Sequence, residues 1–410
     1  MFEKVGQRKV FHGWWMVWGC MLVAIVAWSF ALYGPSVYVP TLSKIHGWSV
    51  GTVSSALTLS FLVNATVLSF VGSTIQRIGP TPVMLTGSAI MATGLASMGR
   101  VNEIWQVYVA FALMGLGWSC VSTTAITSSL APWFERHQGR AVSTALLGAS
   151  IGGMVGVPVL LALIHAFGFA HAMMVVAILM VTIVWSIGLL VMRHRPQDMG
   201  LEPDGLTPRS DDASHKAHTW TRRQALGTIK LQTVMLAFGL ALMVQIGFLT
   251  HQVSLLLPKI GESSTALCVT ASAMFAFGGR ILLAKFSDRF DVRLIALGVL
   301  IQAAISLSVS YFFLDHAWGL IAGVLLYGMT AGNITTLPPL IVRREFGSAS
   351  FGVVFGLCAT LMQIMSAMGP GFFGILYDLD NNYALPLVLS ILINLIAAVI
   401  IISGRTKSAS

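Results

Sequence analysis

The sequence predicts an all-α membrane protein, with twelve transmembrane helices arranged as two pseudo-symmetric six-helix bundles. Three observations carry that prediction. Of 410 residues, 56% are hydrophobic and only 10% are Asp, Glu, Lys or Arg. A soluble domain carries about 25% charge, so no aqueous fold could cover this much apolar surface. Apolar runs long enough to cross a hydrocarbon core of about 30 Å recur near residues 14–34, 50–71, 82–98, 104–130, 141–166, 173–192, 231–257, 265–286, 294–313, 318–342, 351–377 and 384–403. Finally, the basic residues alternate from loop to loop. With both termini cytoplasmic, 20 of the 24 Lys and Arg fall inside and only Lys44, Arg100 and Lys259 outside, as the positive-inside rule requires. The +9 net charge therefore reports orientation in a membrane rather than affinity for nucleic acid.

Taken in order, the first run follows Lys4, Arg8 and Lys9 without a small-residue cleavage site. It reads as a retained signal anchor, with the chain starting at Met1, and it carries Trp28 and Tyr33 as a candidate aromatic cavity wall. The second holds Asn64, and the third is plain apolar. The fourth concentrates Ser119, Ser122, Thr123 and Thr124. In the fifth, Gly148, Gly152 and Gly156 recur every four residues, which permits close helix contact, and Pro158 can bend it. Its GASIG matches a nucleophile elbow in letters only, since that motif needs a strand beside a soluble sheet. The sixth and twelfth are almost wholly apolar, as lipid-facing helices should be. Residues 193–230 are polar, with Pro, Gly and both charges, and read as a cytoplasmic linker between domains 1–192 and 231–410.

The seventh run contains His251, the one histidine well inside a span. Its ordinary pKa near 6.5 makes it the candidate proton carrier, with Gln245 and Gln252 beside it. The eighth contains Arg280, about 12 Å of helix before Asp288. It is the single basic residue inside a span, and such charges are functional by default. The tenth run holds Tyr327, Thr330, Asn333, Thr335 and Thr336, and the eleventh Gln363. Tyr327 and Asn333 are candidate substrate contacts, because neither hides a polar group cheaply in hydrocarbon. All fifteen acidic residues fall in tails, loops or span ends.

The two halves also repeat weakly. GSTIQRIG at 72–79 precedes AKFSDRFD at 284–291 by about 212 residues, and SSLAPWFERHQG at 128–139 precedes TLPPLIVRREFG at 336–347 by about 208. These segments resemble the signature of the major facilitator superfamily, in which Gly, Asp-Arg, Gly and further basic residues follow the second helix. Ser287-Asp288-Arg289 with Arg293 matches well. Gly72, Arg77 and Gly79 match in the first half, but Gln76 stands at the usual Asp, and Pro80-Thr81 replace basic residues. GWW at 13–15, YGPSVYVP at 33–40, APWF with GRA at 139–141, FGGR ending at Arg280 and GPGFFGILYD at 369–378 are similar to the monocarboxylate and oxalate/formate transporter branch.

That resemblance implies a secondary active transporter working by alternating access, with Arg280 meeting the substrate carboxylate. Cytoplasmic gate contacts would fall to Asp288, Arg289, Arg77 and Gln76. Mammalian-type carriers of the branch place an Asp one turn before this arginine, where this chain has Ala276. The cargo expected is a small organic anion, a monocarboxylate, moved by proton symport or anion exchange in a bacterial-type inner membrane. The oligomeric state is left open, a monomer being sufficient. Two rivals are a carrier of a larger or neutral aromatic metabolite such as a vitamin, and a non-transporting sensor or channel. No Walker A loop, HExxH or paired-cysteine zinc spacing occurs, so neither cofactor nor metal is expected. His215 and His218 in the linker read as solvated polar residues.

The topology is testable. A periplasm-selective reporter fused after Arg405 should stay silent, and a cysteine introduced within 198–223 should resist impermeant reagents in intact cells. The opposite pattern in either test would remove this orientation.

Overall fold

The computed structural model describes residues 11–135, 137–193, 196, 220–286, 290–347 and 350–405, and among them there is helix and turn but no strand. The first span, α1 (12–46), consists of His12–Trp28, a π-helical turn Ser29–Tyr33, and Pro35–His46. Pro35 has no N–H to continue an α-helical ladder. The backbone widens instead, and Gly34 N–H donates to the Ser29 carbonyl five residues back, at 2.7 Å. Next come α2 (Val50–Ile78), α3 (Pro80–Met98) and α4 (Ile104–Leu130). The helical run Gln138–Leu190 is two helices, because Gly168 (φ 75°, ψ 164°) turns the chain back between α5 (138–167) and α6 (169–190). Gly261 (φ 74°, ψ 174°) does the same inside Ile229–Phe286, giving α7 (229–260) and α8 (262–286). Only glycine takes such angles without strain. Last are α9 (Val292–Phe312), α10 (Ala317–Phe346), α11 (Phe351–Ala367 continued by Gly369–Asp380) and α12 (Ala384–Ser403).

Nine stretches among the described residues are long and apolar enough to cross a bilayer. The two that turn back at Gly168 and Gly261 each hold two spans, and the 19-residue α3 completes the twelve. The first helix runs well past the expected end at Gly34, because the π turn carries it across Gly34-Pro35. A five-residue helix, Arg222–Leu226, closed by a Thr221/Gln224 capping box, precedes α7.

Lipid gives helices no hydrophobic reason to associate, so close packing and hydrogen bonds must hold them. On α5 the glycine stripe faces α1: a Cβ on Gly152 would sit 2.6 Å from the Ile25 carbonyl oxygen, and one on Gly156 2.7 Å from Ser29 Cβ. Ser29 Oγ donates to the Gly152 carbonyl at 3.0 Å. In the second half α7 and α11 meet in the same way through Gly247 and Gly369.

Where the described termini lie, the second half is tied by Arg293, only 2% exposed. Its Nε and Nη2 grip the two Glu345 carboxylate oxygens at 2.6 and 2.9 Å. Nη1 donates to Thr233 Oγ1 (3.0 Å) and the Ile401 carbonyl (2.8 Å), and Nη2 also to the Lys230 carbonyl (2.9 Å). One guanidinium thus joins α7, α9, α10 and α12. At the repeat-related position in the first half, Thr81 Oγ1 donates to the Met192 carbonyl at 2.9 Å.

Gly152→Leu should lower thermal stability in mild detergent by about 1–3 kcal/mol or more, read by fluorescence-detected size exclusion after heating. Gly298→Ala, on α9 with no atom within 4 Å of the added Cβ, should be neutral or gain up to about 1 kcal/mol. Equal stability of the two variants would contradict the close α1–α5 contact.

Candidate functional site

Arg280 is positioned by the close approach of α8 to α10. Gly279 abuts the Met329 backbone, and the Arg280 stem lies on Gly332, whose missing Cβ would fall 2.9 Å from Arg280 Cγ. Arg280 Nε donates to the Gly332 carbonyl at 3.3 Å, and Nη1 reaches across the seam between the halves to Ser150 Oγ on α5, at 2.8 Å. A guanidinium has five N–H donors, so this one is far from saturated, and no carboxylate pairs with it among the described residues. Around it lies a recess of about 40 Å³ lined by Tyr33, Ser150, Gln245, Gln252, Ser272 and Arg280, among others. Gln245 Nε2 donates to the Ala331 carbonyl at 3.2 Å, while Gln245 Oε1 and Gln252 Oε1 are buried without a partner. Buried polar atoms are normally satisfied, so this cluster of unmet groups makes the recess the candidate site.

His251 lies elsewhere. It is 1% exposed and sits at the end of the molecule away from the termini, where α2 of the first half meets α7 and α11 of the second. Three rungs cross there. Gly51 N–H donates to Asp378 Oδ2 (2.8 Å), Ser54 Oγ meets His251 Nε2 (3.2 Å), and Gly371 N–H donates to Thr58 Oγ1 (2.9 Å). Positions 51, 54 and 58 share one face of α2. The first turn of a helix favours a negative partner, which suits Asp378 to its place. His251 also contacts Tyr383 OH through Nδ1 at 3.1 Å and the Pro370 carbonyl through Nε2 at 3.3 Å, and it stacks on Phe373. A further crossing contact runs from Thr270 Oγ1 to the Met154 carbonyl at 2.8 Å. Toward the termini the halves part around a hollow of about 320 Å³, where Thr123 and Thr335 are exposed.

Of the residues singled out in the sequence, Arg280 and Tyr33 meet in the recess and Trp28 lines the hollow. Tyr327 is 1% exposed and packs on Phe248 with ring centroids 4.6 Å apart. Asn333 donates to the Met329 carbonyl of its own helix at 3.3 Å. Neither lines the recess or the hollow. Gln76 and Arg77 are exposed at the end of α2, whereas Asp288, Arg289, His215 and His218 lie outside the described residues. Sequence reasoning missed Ser150, hidden inside the GASIG false match, and Asp378, which reads as one more span-end acid. The glycine stripe beside Ser150 was the available signal, since it shows which face of α5 turns inward.

A model of the Major Facilitator Superfamily matches residues 17–370. Monocarboxylate transporter 11 of Homo sapiens is 25% identical over 330 residues, covering 78% of this chain and 68% of that protein. Monocarboxylate transporter 13 of Bos taurus is 23% identical over 329 residues, covering 78% and 72%. Among solved structures, a bacterial homologue of the human lysosomal transporter Spinster, inward-facing and unoccupied, superposes with a TM-score of 0.70 at 14% identity, covering 98% of this chain and all of that one.

Proposed function

The chain belongs to the major facilitator superfamily and is a multi-pass membrane transporter rather than an enzyme, and we propose that its cargo is a small organic anion, a monocarboxylate, moved by alternating access. The observation that carries this reading is Arg280, an unsaturated guanidinium in a small recess, bonded to one half through Gly332 and to the other through Ser150. A planar fork suits a carboxylate because it binds both oxygens at once. Substrate held there touches both halves, which is what a rocking carrier requires of its midplane site. The relatives named as monocarboxylate transporters support the same reading. The arrangement around Asp378 and His251 matches a carrier closed at one end and open at the other, and the basic-residue bias makes the open end cytoplasmic.

His251 is the proton-coupling residue on this reading. It is a titratable group that bridges the halves through Ser54, so its charge state acts on opening of the closed end rather than on the cargo. Anion exchange is the rival mode, and it needs no such group.

Two measurements test these roles. Uptake of a labelled monocarboxylate into proteoliposomes should fall from Arg280 to Arg280→Lys to Arg280→Gln, with glutamine costing about tenfold or more in apparent affinity. Insertion should survive, because removing an unpaired charge leaves no buried ion behind. Unchanged affinity in Arg280→Gln would sink the carboxylate reading and favour a neutral aromatic cargo. Separately, His251→Gln, which can still hydrogen-bond to Ser54 and Tyr383, should flatten the pH dependence of uptake while leaving the saturating rate at the optimum within about twofold. A pH profile identical to the parent's would assign the proton to the cargo or point to exchange.

A further inference from the structure

The recess at Arg280 is small. At about 40 Å³ it takes a carboxylate and little more, yet α1, α7 and α10, which line it, also line the hollow of about 320 Å³. Tyr33, Gln245 and Gly332 line the recess. Leu32, Ile246 and Thr335, their neighbours by one residue or one helical turn, line the hollow.

The lining of the hollow differs in kind. Among the described residues it contains no charged one, and Trp28, Phe61 and Trp118 form an aromatic wall. Trp118 is held edge-to-face by Trp28 (6.4 Å, 88°) and by Phe61 (5.5 Å, 83°). Its indole N–H has no acceptor among the described residues although the residue is only 9% exposed. Two neutral amides come from opposite halves. Asn64 on α2 makes one long bond, to the Gly115 carbonyl at 3.4 Å, and the Gln363 side chain on α11 makes none among the described residues.

A dry apolar cavity of about 150 Å³ already holds a benzene molecule, so this hollow has room for a substituted ring. Aromatic walls favour edge or offset contact with another ring, and unpaired amides call for a neutral polar group rather than a second charge. We propose that the carried anion is an aromatic monocarboxylate, held by its carboxylate at Arg280 and by its ring in this hollow, with a neutral polar ring substituent between Asn64 and Gln363. This deepens the carboxylate reading of Arg280 and rests on it.

The test is calorimetric titration of the full chain in lipid nanodiscs with 4-hydroxybenzoate, benzoate and propionate. The parent should bind 4-hydroxybenzoate about tenfold or more tighter than propionate. Phe61→Ala should weaken the aromatic acids about tenfold and leave propionate within about twofold. Should that buried substitution fail to fold, Gln363→Ala serves, since it removes a side chain with no internal partner. It should reduce the preference for 4-hydroxybenzoate over benzoate by about three- to tenfold. Propionate binding as tightly as 4-hydroxybenzoate, or a preference untouched by Gln363→Ala, overturns the proposal. Arg280→Gln separates the two layers. If it abolishes binding of all three acids while the ring confers no advantage, only the aromatic inference falls. If no acid depends on Arg280, the carboxylate reading falls as well.

Discussion

Everything in this structure depends on helices approaching one another closely where water cannot help them. With lipid outside, contact between backbones replaces the hydrophobic drive of a soluble core. Glycines at the crossing points decide where that happens: α5 on α1, α11 on α7, and α8 on α10. The last of these crossings sets the functional chemistry. The Arg280 stem can lie along α10 only because Gly332 has no side chain, and the guanidinium is thereby delivered to the seam at a fixed height.

Arg293, buried, and Arg280, part-buried, show how one residue type serves opposite ends. Arg293 spends its donors on Glu345, Thr233 and the carbonyls of Lys230 and Ile401, so its charge is answered inside its own half. Breaking such a pair costs about 3–5 kcal/mol, because the surviving ion is left buried. Arg280 has two neutral bonds and no counter-ion among the described residues. A saturated guanidinium is a fastener, and an unsaturated one keeps donors free for a further partner. The first half has Thr81 where the second has Arg293, and the hydroxyl satisfies the equivalent carbonyl without importing a charge that would need an acid.

Much of this was legible in the sequence, for physical reasons that also mark its limits. The spans could be read because a bilayer imposes length and polarity together. Arg280 stood out because an intramembrane charge is rare. The repeat in 72–79 and 284–291 showed Pro80-Thr81 standing where basic residues are usual, though not that Thr81 bonds across to Met192 as Arg293 bonds to Ile401. Sequence could not reveal that Arg293, read as a loop cation, folds beneath the helices, since its acid partner Glu345 lies 52 residues away. Nor could helical spacing say which face of α10 turns inward, which is why Tyr327 and Asn333 stood beside Arg280 as candidates and the structure packs them apart from both cavities. The π turn has a similar moral. Gly34-Pro35 looks like a stop signal, but a wider turn carries the helix through and presents Tyr33 to the recess.

The hairpins at Gly168 and Gly261 have an evolutionary consequence. Each joins two spanning helices through a single residue in a conformation that other residues resist, so neither turn has slack. An inserted residue would have to unseat a helix from its neighbours, and a deleted one would pull two helices out of register. Changes of length should therefore be tolerated far less at these two turns than at the longer connections between helices, where doubling the length of a loop costs only about 0.6 kcal/mol.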